Sequence, residues 1–333
     1  MVRSGSPTRQ AAPRRKRLIM AESKRQPASS ERTDARETWR RIKRYWYCYL
    51  MIAGTFALLL TFSYFPAISA FYHSFTIWDG FRPAKWVGLQ NYQEIFTSPV
   101  IFGKAFVNMI FLATWSVIRA LVFPLFGAAL IYRLRSERTA YFFRLLFVIP
   151  LVVPGVVGIL VWRQLYEPNV GLFNAILVAF HMKPLPFLNG EATALPSLMF
   201  MGFPWIDGVG MLIYLAGLLA IPGEIIEAAI MDGASSLRRF FSMELPLIVP
   251  QIRLILILNV IGALQGFGMQ LLVTHGGPSN ATTVPAWEMY QAAMTASRYG
   301  VASAIGVVLF ILIFGLTLIN NAAVRSSVEY QAN

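Results

Sequence analysis

The chain has 333 residues, of which 56% are apolar and only 14% are charged. Soluble domains carry about 25% charged residues, so the composition excludes an ordinary water-soluble fold and indicates a polytopic membrane protein. The single cysteine, Cys48, excludes an internal disulfide framework, and three widely separated histidines form no zinc or haem pattern. We therefore expect neither a metal nor another cofactor.

The N-terminal 44 residues are strongly basic. Positions 1–44 hold 14 of the 29 Lys and Arg residues of the chain but only four acids. A basic run such as residues 13–17 is found in nucleic-acid-binding segments, but no aromatic residue precedes Trp39, and we do not expect nucleic acid as a partner. A disordered tail that helps to orient the chain in the membrane explains the charge instead.

Six apolar segments have about 20 residues or more, the length that a transmembrane helix needs. They predict an all-α protein with six membrane-spanning helices surrounded by lipid. Prolines 150 and 154 in the third segment and glycines 262, 266 and 268 in the fifth predict bends. The segments are residues 45–65, 105–131, 141–163, 197–221, 252–272 and 301–323.

The basic tail adjoins the first segment, and the positive-inside rule then places both termini in the cytoplasm of a multi-pass protein of the cell (inner) membrane. The same rule puts the loop at 222–253, between the fourth and fifth segments, on the cytoplasmic side. The predicted organisation is a tail at 1–44, a first helix and extracytoplasmic loop at 45–104, a five-helix core at 105–323 and a C-terminus at 324–333.

The loop at 222–253 contains the pattern of a helix pair. A first helix starts at Pro222, carries acids in its first turns and ends at Gly233, because glycine accepts the backbone conformation that closes a helix. A second helix covers about 235–244, and Leu245 with Pro246 breaks it before the fifth segment. Spacing alone also fits an ordinary interfacial helix turn.

Within this loop, the string EAAIMDGA is followed ten residues later by ELP. This pattern resembles the EAA loop of binding-protein-dependent ABC importer permeases, in particular the carbohydrate type related to the maltose and glycerol-3-phosphate permeases. Further similar segments are GLQNYQEIF at 88–96 and VTHGGPSNATTVPAWEMYQAAM at 273–294. The resemblance covers about 45–323.

The resemblance implies a type I ABC importer permease fold and a transport role for a sugar or related solute. It implies three partners: a second, homologous permease subunit, a cytoplasmic ABC ATPase dimer and an extracytoplasmic solute-binding protein. It also implies that the EAA loop couples the permease to the ATPase. The matching positions are Glu227, Ala228, Ala229, Asp232, Gly233, Ala234, Leu245 and Pro246.

No GxxxxGK[ST] phosphate-binding loop occurs in the sequence, so ATP hydrolysis is expected on a partner chain and no catalytic residue is predicted here. Two alternatives remain. A secondary transporter acting without an ATPase predicts repeated halves and intramembrane acids, of which only Asp207 is available. A membrane-embedded transferase predicts paired aspartates at the membrane face, which the loop lacks.

Two charged residues, Arg119 and Asp207, lie inside predicted spans, where a charge costs on the order of 2.5–3.5 kcal/mol. They lie about 21 Å and about 15 Å along their helices. We expect them to pair or share a polar cavity; alternatively, each faces a separate pocket or the partner permease. The other candidates for the translocation path equally suit helix–helix hydrogen bonding. These are Trp205, Asn259, Gln265 and Gln270.

Overall fold

The computed structural model describes residues 35–323, with side chains for residues 39–322. The predicted tail up to residue 34 and the predicted C-terminus at 324–333 lie outside the described residues. The chain divides into two compact units, Met1–Tyr64 and Phe65–Asn333.

The first unit contains helix α1, Ala35–Arg44, and most of helix α2, Trp46–His73. Helix α2 has 28 residues, so the first predicted span at 45–65 continues for eight residues that were expected in the outer loop. None of the residues in Trp46–Leu59 is buried within the chain, although the segment is apolar all round. Such a surface suits contact with lipid or with another subunit.

The second unit contains a short antiparallel ribbon and twelve further helices within the described residues. The ribbon pairs β1, Thr76–Ile77, with β2, Lys85–Trp86. The helices are α3 Gln90–Thr97, α4 Pro99–Tyr132, α5 Glu137–Val152, α6 Gly155–Leu165, α7 Leu172–Ala179, α8 Glu191–Phe200, α9 Gly208–Leu219, α10 Gly223–Met231, α11 at 236–247, α12 Val249–Thr274, α13 at 285–295 and α14 Tyr299–Ala323.

Four helices within the described residues, α2, α4, α12 and α14, are long and apolar enough to cross a membrane. Two bent pairs, α5 with α6 at 90° and α9 with α10 at 70°, raise the number to six if each pair forms one span. The predicted bends are confirmed at Pro154, which precedes α6, and at Gly266, where the first part of α12 ends. Proline lacks the N–H that a continuing helix needs.

The fourth predicted span, 197–221, is wrong as a single helix. Helix α8 ends at Phe200 and α9 begins at Gly208, with non-helical residues between them. Trp205 has a φ of 58° there, and Asp207 starts the new helix by accepting a hydrogen bond from the Gly210 N–H at 2.7 Å. Asp207 is therefore an N-cap, not a residue ten positions inside a helix.

The main core lies where α4 packs against α9 and α12. Its centre contains Met211, Tyr214 and Leu218, all fully buried. Close packing also brings α9 against α5, because a Cβ atom on Gly208 would lie 2.5 Å from the Phe147 carbonyl oxygen. Small residues allow membrane helices to approach in this way.

A second core joins α3 and the N-terminal part of α4 to α13 and α14. It is centred on Ile95, Trp287 and Ile305. A third, smaller core around Tyr166 joins α6 to α8, where the Tyr166 hydroxyl donates a hydrogen bond to the Ser197 carbonyl oxygen at 2.9 Å.

Candidate functional site

Helix α10 ends in a tight C-terminal cap built within six residues. Gly233 has a φ of 75°, and its N–H donates to the Ile230 carbonyl oxygen at 3.0 Å. The Ala234 N–H donates to the Ala229 carbonyl oxygen, also at 3.0 Å. This pair of bonds is a Schellman motif, which favours glycine at the left-handed position. The predicted end of the helix at Gly233 is confirmed.

The two faces of α10 have different environments. Ala229 is buried, and Ile225 and Ile226 pack against the main core. The opposite face is exposed and carries Glu227 together with Met231, whose exposed fraction is 86%. Of the remaining EAA positions, Ala228, Asp232, Gly233 and Pro246 are exposed, while Ala234 and Leu245 are half-buried.

Helix α11 follows directly, and its first turn is capped by the Ser235 hydroxyl, which accepts a hydrogen bond from the Arg238 N–H at 3.3 Å. The predicted break at Leu245 and Pro246 is wrong, because the helix continues to Leu247 and is interrupted at Ile248. A π turn precedes Pro246, and the Leu245 N–H bonds to the Phe240 carbonyl oxygen five residues back. This shift in register accommodates a residue without an N–H.

Glu244 is a buried carboxylate that the sequence reasoning missed. Its Oε2 atom lies 2.8 Å from Arg133 Nη2, and its Oε1 atom lies 3.0 Å from Arg239 Nε. The carboxylate side chain is fully buried. One signal for it exists in the sequence, since Glu244 is the only charged residue between positions 240 and 250. We call Glu244, Arg133 and Arg239 the loop triad.

Two neighbouring cavities share Arg119, Leu258 and Asn259 as lining residues. The first, of about 450 Å³, lies among α4, α9 and α12. The second, of about 410 Å³, lies among α4, α6, α8 and α12. The first is also lined by Trp205 and Asp207, and the second by Gln270. The structure therefore brings together five of the six residues that were predicted for the translocation path.

Arg119 and Asp207 both line the first cavity. Arg119 Nη1 lies 4.0 Å from where a Cβ atom on Gly202 would be. The Asp207 Oδ2 atom is engaged by the Gly210 N–H. Within the described residues, no direct ion pair of 4 Å or less involves Arg119 or Asp207. Of the expected arrangements, the geometry matches a shared polar cavity.

The remaining polar candidates have defined partners. The centroid of the Trp205 ring lies 5.2 Å from that of Trp115 and 4.9 Å from that of Phe123, so an aromatic cluster fixes the position of Trp205. Asn259 Oδ1 accepts a hydrogen bond from the Ser116 hydroxyl at 2.9 Å. Gln270 is buried, and its Nε2 atom donates to the Thr282 carbonyl oxygen at 3.0 Å.

Gln265 is not brought to this site. It lines a separate cavity of about 450 Å³ beside α13 and α14, with Met289 and Phe310 among its neighbours. Residues 35–323 also contain no group of three or more His, Cys, Asp or Glu side chains that could hold a metal ion.

Residues 120–327 match the family described as "Binding-protein-dependent transport system inner membrane component". The chain belongs to this family. As a family member it is a multi-pass membrane subunit for transport, and the loop 222–253 and both cavities lie largely within the matched residues.

Two curated relatives of this permease have sugar-related names. The chain is 32% identical to the diacetylchitobiose uptake system permease protein NgcF of Streptomyces coelicolor, over 76% of this chain and 75% of that protein. It is 31% identical to the trehalose/maltose transport system permease protein MalF of Thermococcus litoralis, over 81% of this chain and 91% of that protein.

A solved structure supports the fold. A chain of a bacterial alginate ABC transporter, crystallised in complex with an alginate pentasaccharide-bound periplasmic protein, superposes with a TM-score of 0.76. The match covers 86% of this permease and 96% of that chain at 23% identity, a level that speaks for the fold alone. The permease has the type I ABC importer fold that the sequence predicts.

Proposed function

We propose that the permease forms half of the translocation path of a sugar importer. It pairs with a second, homologous permease, receives a saccharide from an extracytoplasmic binding protein and is driven by a cytoplasmic ATPase dimer. In this arrangement both termini and the loop 222–253 face the cytoplasm. The family match and the sugar-related names of the relatives support the solute class.

The coupling proposal rests on the exposed face of α10 and α11, which we call the docking face. Glu227 and Met231 project from α10, and Leu237, with an exposed fraction of 72%, projects from α11. Met231 and Leu237 are large apolar side chains on a short helix pair that is otherwise anchored in the core. Apolar side chains ringed by polar groups are typical of a protein-binding surface.

The cavity around Arg119 supports passage of a saccharide. Sugars present hydroxyl groups that need hydrogen-bonding partners and ring faces that stack on aromatic side chains. Arg119, Asp207 and Asn259 supply charged and amide groups, and Trp205 supplies the aromatic ring. The cavity lies on α4 and α12, two helices long enough to cross the membrane.

Co-purification with the ATPase tests the proposal. We expect Glu227→Lys to lose most of the ATPase that the unaltered permease retains, because it reverses an exposed charge of the docking face. Glu137→Lys is the matched control, since Glu137, in the first turn of α5, is also an exposed acid on a helix.

Equal retention of the ATPase by Glu227→Lys would contradict the docking face. Uphill solute uptake by the purified permease without any ATPase would overturn the proposal as a whole and favour a secondary transporter.

A further inference from the structure

The loop triad joins two elements that are far apart in sequence. Arg133 directly follows α4 and Arg239 lies in the first turn of α11, while Glu244 lies five residues later. The Arg133 Nη1 atom also donates to the Ala129 carbonyl oxygen at 3.0 Å, which fixes the guanidinium to the last turn of α4. Its guanidinium carbon lies 5.3 Å from the Phe240 ring centre.

The position of Arg133 matters because α4 also carries Arg119. The two residues are fourteen positions apart, which corresponds to about 21 Å along a helix. One end of this stretch therefore meets the loop triad, and the other lines both cavities. A displacement of α11 acts on α4 through Glu244. The carboxylate is fully buried, so separating it from either arginine would leave a buried charge without its partner, which is strongly destabilising.

We infer that Glu244 is a positioning residue, which transmits movement of the loop at 222–253 to α4 and so to the cavities that Arg119 lines. The inference rests on the proposed function. The carboxylate acts as a two-sided clamp: Oε1 holds α11 and Oε2 holds the end of α4. Without the clamp, the loop still binds the ATPase but moves partly independently of the cavity.

The test uses the complete transporter in proteoliposomes, with both permeases, the ATPase dimer and the solute-loaded binding protein. We expect Glu244→Gln and Arg133→Gln each to retain the ATPase but to lower solute uptake per ATP hydrolysed at least fivefold. The double variant should resemble either single variant, because all three break the same link. A role in stability alone would lower the amount of complex and leave uptake per ATP unchanged.

Two neighbouring arginines provide matched controls. Arg135 is exposed two residues after Arg133, and Arg238 is exposed immediately before Arg239. Arg135→Gln and Arg238→Gln should keep uptake per ATP within twofold of the unaltered transporter. If Glu244→Gln does not accumulate, Glu244→Asp replaces it; its shorter side chain should reach only one arginine and give an intermediate ratio.

An unchanged ratio in the assembled triad variants, or an equal fall in the arginine controls, would overturn the inference. Failure of the proposed function would look different, because the unaltered permease itself would then bind no ATPase and show no coupled uptake.

Discussion

The loop at 222–253 and the cavity around Arg119 are built in opposite ways. The C-terminal cap of α10 is closed by hydrogen bonds between Ala229 and Ala234, within six residues of sequence. The two cavities that Arg119 lines are formed by residues from α4, α6, α8, α9 and α12. The Ser116–Asn259 hydrogen bond beside the second cavity joins residues 143 positions apart. A local motif tolerates changes elsewhere, whereas a cavity depends on how every lining helix is packed.

Reversing the charge in the cavity should have the largest effect. We expect Arg119→Asp to lower solute uptake by roughly a hundredfold, about 2.7 kcal/mol, because it places two carboxylates in one poorly solvated cavity. Arg119→Lys, which keeps the charge, should retain most of the uptake. Uptake is measured in cells, with the amount of permease in the membrane determined in parallel.

Exchanging both charges tests whether Arg119 and Asp207 act together. Adding Asp207→Arg to Arg119→Asp should restore part of the uptake but not all of it, since the Asp207 cap on α9 is lost and caps contribute about 1 kcal/mol. Asp207→Asn keeps a capping side chain and removes only the charge. If the double reversal restores no uptake at all, the two residues do not act together.

The loop should respond to a smaller, purely local change. Gly233→Ala forces a side chain into a left-handed conformation at a cost of about 1–2 kcal/mol. We therefore expect the amide hydrogen of Ala234 to exchange roughly 5–30 times faster, measured by hydrogen exchange on the purified complex. Steric crowding does not contribute, because a Cβ atom on Gly233 would meet nothing within 4 Å.

Gly223→Ala is the control, since Gly223 is also unobstructed and its backbone needs no left-handed conformation. Exchange at Ala234 that is equally slow in Gly233→Ala would show that the cap does not depend on glycine.

This difference also explains what the sequence could predict. The long apolar helices and the end of α10 at Gly233 follow from segment length and local residue preferences, and both are found. The sequence does not predict the interruption of the helix at 201–207. Pro204 lies within a long apolar stretch, and the sequence alone does not distinguish Asp207 as a charge inside a helix from Asp207 as a helix N-cap. The loop triad could not be predicted from local sequence, because Arg133 and Glu244 are 111 positions apart and meet only in the folded chain.

The smallest effect should come from the Ser116–Asn259 bond, and it separates two roles of Asn259. Interhelical hydrogen bonds in membranes contribute about 0.6 kcal/mol, so Ser116→Ala should lower the unfolding temperature by only about 1–2 °C, with uptake within twofold. Within the described residues, no hydrogen bond is formed by the Asn259 amide nitrogen, so under the proposed function this nitrogen can donate to a solute. Asn259→Ala should therefore lower uptake several-fold beyond its effect on the unfolding temperature. Equal behaviour of the two variants would make Asn259 a packing residue only.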